Sequence, residues 1–249
     1  MPQPLDTRLH PIVALRAVRA LLHDPEDTLQ VFLLLDALRG KTSQRQLARF
    51  RQTEVGRAVL TEHRRLFDRL NDRDTLAALP TGTLGRLYHE FTAAEHFSAQ
   101  GLAEISNFRD VLPPGEAMTL FRERGRDAHD LLHVVTGYGR DPLGEACLTA
   151  FTFAQTGLKG FMLIATAAAR RIAQSLPGEP VRRAVFEGYR RGRRAQWLVA
   201  ADWEMLLGEP VDSIRAQFGV EPAVYYPRVL PALEAALGAA GQTAMRAAI

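Results

Sequence analysis

The chain has 249 residues, 47% of them hydrophobic and 24% charged, which supplies material for a sizeable core and excludes a disordered or low-complexity protein. Its single cysteine, Cys147, excludes an internal disulfide framework, argues against a thiolate zinc site and points to a reducing compartment. The formal net charge is only +3, acidic residues are spread among the basic ones and no nucleic-acid-binding module is recognisable, so nucleic acid is not an expected partner.

From the start of the chain, Met1 to Leu22 mixes Arg8, Arg16 and Arg19 with Pro2, Pro4 and Pro11, which is not the pattern of a secretion signal. Apolar spacings of three and four predict helices over Leu15 to Leu22 and Thr28 to Leu38, with Asp24-Pro25-Glu26-Asp27 as the turn between them. Ser43 to Phe50 predicts a short helix, Val55 to Phe67 a longer one, and Asn71 to Asp74 starts a brief one that ends before Pro80. Leu79-Pro80-Thr81-Gly82-Thr83 reads as a turn in which Thr83 caps a helix from Leu84 to Gln100. Asn107 to Gly115 is irregular, since Pro113-Pro114 blocks a helix.

An amphipathic segment from Glu116 to Tyr138 follows, broken by Gly139-Arg140-Asp141-Pro142 before a further helix from Leu143 to Ile172. Within it, Leu148 to Ala169 is the most apolar stretch, but Lys159 divides it into runs too short to span a bilayer, so a core helix is expected. Pro177-Gly178-Glu179-Pro180 starts a helix predicted from Val181 to Leu207, Pro210 to Gln217 forms a short one, and Ala232 to Ile249 a last helix with a frayed tail. Arg190, Arg191, Arg193 and Arg194, between Tyr189 and Trp197, read as a solvated helix face, with phosphate or anionic lipid headgroups as the alternative role. Valine and isoleucine nowhere alternate with polar residues over a strand's length, so the expectation is all-α: one multi-helix domain over residues 1–249.

The chemistry concentrates in Arg126-Asp127-Ala128-His129-Asp130-Leu131-Leu132-His133 and in Glu145 beyond the next turn. On a helix His129 and His133 stand about 40° apart around the axis and Asp130 about 100° from His129, so two imidazoles and a carboxylate share a face. A helical hairpin at Gly139 to Pro142 folds the next helix back antiparallel and brings Glu145 towards His133. Imidazole and carboxylate oxygen suit zinc or another divalent first-row ion, whereas Cys147, two residues past Glu145, lies on nearly the opposite face. Histidines four apart also occur as hydrogen-bonded core residues; the nearby acids favour a site, because buried unpaired carboxylates are costly. A zincin peptidase places glutamate where Asp130 stands, which weakens that reading.

His-Asp-x-x-His, then eleven residues, then Glu is similar to the signature of the coenzyme Q biosynthesis protein 4 family. Leu79 to Arg86, Gly137, Phe153 to Leu158, Tyr189 to Gly192, Ala195, Leu198, Trp203, Glu204 and Ile214 to Val220 resemble it too, and the likeness spans roughly Thr28 to Val220. The resemblance implies an all-helical fold and a divalent metal, zinc or another first-row ion, held by His129, Asp130, His133 and Glu145. It further implies exchange of the ring C1 carboxyl group of a polyprenyl-hydroxybenzoate precursor for hydroxyl. The implied partners are a prenylated quinone precursor or isoprenoid lipid, the membrane surface, other ubiquinone biosynthesis proteins and a second copy of the chain. The absence of a mitochondrial targeting extension suggests a bacterial, cytoplasmic member bound peripherally to the inner face of the membrane. Leu132 to Tyr138 is less aromatic than is common in the family, which leaves the ring substrate open. Phe151, Phe153, Leu158, Phe161 and Met162 either line a groove for the prenyl tail or belong to the core. A non-catalytic lipid-binding scaffold and a metal-dependent hydrolase are the alternatives.

Overall fold

A computed structural model describes residues 9–23, 28–38, 40–93 and 116–247. The described residues form helices without a strand, in this order: α1 (Pro11–His23), α2 (Thr28–Ala37), α3 (Thr42–Gln52), α4 (Glu54–Thr61), α5 (Leu66–Asn71), α6 (Arg73–Ala78) and α7 (Leu84–Ala93). After residues outside the description come α8 (Glu116–Thr136), α9 (Pro142–Thr156), α10 (Lys159–Ser175), α11 (Val181–Arg194), a 3-10 turn (Leu198–Ala200), α12 (Trp203–Leu206), α13 (Val211–Phe218) and α14 (Tyr226–Ala247). The expected turn at Asp24 to Asp27, the end of the helix expected to reach Gln100 and the irregular Asn107 to Gly115 lie outside the described residues.

Where expectation and structure differ, local backbone chemistry explains why. The helix expected from Val55 to Phe67 is two, α4 and α5, because His63 takes a left-handed conformation at φ 53° between them. The one expected from Leu143 to Ile172 breaks at Gly157, whose φ of 70° closes α9 with its amide bonded to the Phe153 carbonyl. The one expected from Val181 to Leu207 stops at Arg194, and the chain turns through Ala195 to Asp202 before α12. The last helix begins at Tyr226 and carries Pro231 inside it.

Thr83 does not cap α7 with its side chain, since its hydroxyl donates to the Pro80 carbonyl at 2.7 Å. The free amides at the start of α7 go instead to a distant segment: Leu84 N–H to the Glu209 carbonyl at 2.9 Å and Gly85 N–H to Leu207 at 2.8 Å. With Val211 N–H on the Gly82 carbonyl at 3.0 Å, this clasp ties α7 to the start of α13.

Two apolar clusters dominate and meet along α8 and α9. One gathers Leu131 and Val135 of α8 with Leu66, Leu84, Tyr88, Phe151, Trp203 and Ile214. The other gathers Leu143, Cys147 and Leu148 of α9 with Ala165, Val181, Ala184, Tyr226 and Val229. Helices α9 and α11 approach closely because glycine faces backbone: a Cβ on Gly188 would lie 2.4 Å from the Cys147 carbonyl oxygen, and one on Gly192 would lie 2.6 Å from that of Phe151. Cys147 is thereby sealed in the core, and burial pushes its thiol above the usual range.

Candidate metal centre

Helix α8 presents His129, Asp130 and His133, and the turn 137–141 returns the chain so that Glu145, in the first turn of α9, faces both imidazoles. One donor atom each of His129, Asp130 and His133 lies within 4.8 Å of the others. Glu145 reaches His133 Nε2 at 3.2 Å through Oε1 and His129 Nε2 at 3.8 Å through Oε2. The structure thus groups His129, Asp130 and His133 and sets Glu145 against both imidazoles.

His133 is decisive. Its side chain has no exposed surface, and Nδ1 lies 3.0 Å from the Tyr138 carbonyl oxygen, an atom that can only accept. Nε2 is buried, has no well-formed hydrogen bond and faces the Glu145 carboxylate, which also accepts. A neutral imidazole carries one N–H and can satisfy only one of these acceptors; the other side requires a cation, either a second proton or a metal ion. Two donors about 2.1 Å from a tetrahedral zinc ion stand roughly 3.4 Å apart, so the spacing of Nε2 and Oε1 suits such an ion. The residues fit a divalent metal.

Asp130 occupies a different position. Its Oδ1 lies 3.5 Å from His129 Nδ1, and its Oδ2 pairs with Arg140 at 3.0 Å. Burial opposes ionisation of Asp130, but the hydrogen bond to His129 and the positive charges of His129 and Arg140 outweigh it and hold the carboxyl below its usual range. Glu145 is likewise held low: burial opposes, while the adjacent His133 imidazole and the positive charges of His129 and Arg140 prevail. His129 is pushed up, since its bond to Asp130 and the charge of Glu145 overcome desolvation. The side chains of His129 and Glu145 are 39% and 42% exposed, which leaves that side of the cluster open to solvent.

Phe91 of α7 closes another side. Its ring lies 5.3 Å from the His133 ring, and the Arg140 guanidinium sits 4.7 Å from its centroid. Two arginines hold the end of α8. Arg215 donates to the Val134 and Val135 carbonyls at 3.0 and 2.9 Å, and Arg191 donates to the Thr136 carbonyl at 2.9 Å, placing positive charge where the helix dipole is negative.

The sequence model of the family described as "Coenzyme Q (ubiquinone) biosynthesis protein Coq4" matches residues 7–224, most of the chain. The chain belongs to this family. Coq4 membership places it among proteins of ubiquinone biosynthesis. The mitochondrial COQ4 homolog of Danio rerio is 28% identical over 221 residues, covering 88% of this chain and 79% of that protein. The homolog of Rattus norvegicus is 30% identical over 171 residues, covering 67% and 61% respectively. A crystal structure of a protein from Nostoc punctiforme, provisionally assigned to ubiquinone biosynthesis, superposes with a TM-score of 0.62 at 24% identity, over 86% of this chain and all of that one; it supports the fold.

For this Coq4 family member several sequence expectations need revision. Arg191 is not part of a solvated face: it is 5% exposed, bonded to the Thr136 and Glu221 carbonyls and set over the Tyr138 ring. The five residues considered for a prenyl groove do not share one surface, since Phe151 is fully buried, Phe153 stacks on Tyr189 and Met162 is 43% exposed on α10. Arg140 and Phe91 went unrecognised from sequence. Arg140 had a signal, a charged residue in the turn between two sets of ligands; Phe91, about forty residues upstream, had none.

Proposed function

We propose that the chain acts in ubiquinone biosynthesis as a metal-dependent catalyst that removes the C1 carboxyl group of a polyprenyl-hydroxybenzoate precursor and installs a hydroxyl group there. The observation that carries the reading is the His133 imidazole held between two acceptors, in a chain whose family belongs to this pathway. A divalent cation such as Zn2+ supplies Lewis acidity towards the substrate's carboxylate or phenolic oxygen when bound. His129 and His133, each through Nε2, and Glu145 through a carboxylate oxygen would hold it. Asp130 would then orient the His129 ring through Nδ1, and the solvent-exposed side of the cluster would be the side open to substrate. Should Asp130 rotate inward, it becomes a fourth donor.

The overall change balances as loss of carbon dioxide from C1 and gain of one oxygen atom from O2. The second oxygen atom leaves as water, with two electrons and two protons from a reductant. Phe91 and the leucines and valines around Tyr88 keep the inner side of the cluster apolar, so the ring can be oriented away from bulk water.

We assign the chain to a single helical domain, active in the cytoplasm as an oligomer at the inner face of the cell membrane beside other enzymes of the pathway. No helix among the described residues is long and apolar enough to cross a membrane. Exposed Ile12 and Leu15, followed on the outer face of α1 by Arg16 and Arg19, support peripheral attachment.

The test is complementation in cells lacking the chain, with metal analysis of the purified protein. Wild type is expected to restore ubiquinone and to retain a divalent ion. A folded His133→Ala variant is expected to retain none and to leave the carboxylated prenyl precursor to accumulate. Normal ubiquinone synthesis by that variant overturns the catalytic reading and leaves a scaffold.

A further inference from the structure

The spacing between His133 and Glu145 depends on how the turn 137–141 is held, and one side chain from the far end of the chain grips it. Tyr226 is the first residue of α14 and is 5% exposed. Its hydroxyl accepts the Gly139 N–H at 3.0 Å and donates to Asp141 Oδ2 at 2.5 Å. The other oxygen of Asp141, Oδ1, accepts the Leu143 and Gly144 N–H groups, both at 3.0 Å, and so caps the helix that carries Glu145. From the opposite side, His133 Nδ1 lies 3.0 Å from the carbonyl oxygen of Tyr138, the residue before Gly139. The Tyr138 ring in turn meets the Tyr226 ring edge to face at 5.3 Å.

The turn is thus clamped between a candidate ligand and a phenol. A single hydroxyl joins the exit from α8, through Gly139, to the cap of α9, through Asp141. We propose that Tyr226 is a positioning residue for the metal centre: its hydroxyl fixes the turn so that Glu145 meets the two imidazoles. This rests on the metal reading above. The Tyr226 hydroxyl bonds to the turn and to the helix cap, and a phenylalanine here would keep a ring to pack on Tyr138. Its contribution is geometric: metal centres lose affinity when the groups that orient their ligands are removed, by about ten- to a hundred-fold in other proteins.

The experiment uses the full chain and replaces Tyr226→Phe, which removes one oxygen atom and keeps the ring. Tyr225→Phe is the control, an equal change on the neighbouring residue, whose ring faces Arg183 and Arg228 instead of the turn. Co2+ serves as a spectroscopic probe and Zn2+ affinity is measured by competition with a chelator. Tyr226→Phe is expected to bind Zn2+ about ten- to a hundred-fold more weakly and to shift the Co2+ absorption bands. Faster hydrogen exchange at the Gly139, Leu143 and Gly144 amides is expected with it, while Tyr225→Phe matches wild type in all three.

Gly139→Ala attacks the same clamp independently, because its Cβ would lie 2.7 Å from the Tyr226 hydroxyl, and it is expected to weaken binding in the same direction. Wild-type Zn2+ affinity and Co2+ spectrum in Tyr226→Phe overturn the positioning role and leave the metal centre standing. A wild-type chain that takes up neither ion overturns the metal reading and the positioning role together.

Discussion

Helix α8 buries two polar clusters about two and a half turns apart, and they are built on opposite principles. At Arg124, 3% exposed, the charge is matched: Nη1 and Nη2 donate to the two oxygens of Glu204 at 2.6 and 2.7 Å, and Nη2 also reaches the Ala201 carbonyl at 3.0 Å, while Nε is buried without a hydrogen bond. At His133, 1% exposed, an imidazole is set between a carbonyl and a carboxylate, with one proton too few for both. Burial is similar and each keeps one buried nitrogen without a hydrogen bond, but only the Arg124 cluster pairs its charges directly. The Arg124 pair ties α8 to α12 and balances its charge without any ligand, whereas the His133 imidazole needs an added positive charge, either a second proton or a metal ion, to meet both acceptors.

The sharpest way to break this contrast is to remove one acid from each cluster. Glu204→Ala leaves a buried guanidinium uncompensated and is expected to cost about 3–5 kcal/mol in denaturant unfolding, with metal uptake by the folded fraction unchanged. Glu145→Gln is expected to do the reverse. Its amide keeps the shape of the side chain and can donate to His133 Nε2, which offsets the lost charge, so the metal-free protein is expected to unfold within about 1 kcal/mol of wild type while Zn2+ retention is lost. Stability lost on changing Glu145 and untouched on changing Glu204 would assign the structural role to the wrong cluster.

The same two clusters mark how far sequence carries. The grouping of the candidate residues was legible because its spacing is local: the four positions from His129 to His133 and the twelve more to Glu145 are governed by helical periodicity and a four-residue breaker. Arg124 and Glu204 are eighty positions apart, and nothing along the chain announces that they meet. The same holds for Arg191, which read as surface charge yet closes the end of α8 with Arg215, and for Tyr226, whose partners lie 85 and 87 residues away. Helical class followed from the absence of alternation. The breaks at His63, Gly157 and Ala195 did not, because apolar spacing of three and four continues across each of them while the backbone leaves the helix.

The smallest expected effect sharpens the contrast further, because it gives the metal-free and metal-loaded protein opposite responses to pH. His129 is raised above the ordinary imidazole value of about 6.5, so its contribution to the metal-free fold is full below that pH and is lost as pH rises through the folded value. Asp130 and Glu145 are depressed, so their contributions are present above their ordinary values of about 4 and are lost as pH falls through the folded ones. The cluster therefore supports the metal-free fold best between about pH 4.5 and 6.5. Metal binding needs the same imidazole without its proton, so Zn2+ affinity should climb with pH above about 6.5, where the metal-free contribution declines. The difference between wild type and His129→Gln, taken from unfolding midpoints and from Zn2+ competition across that range, isolates this residue from the other titrating groups. Slopes of the same sign in the two measurements would mean that the proton and the metal do not compete for His129. The shared-cation geometry would then be wrong at that residue, even if His133 and Glu145 still bind.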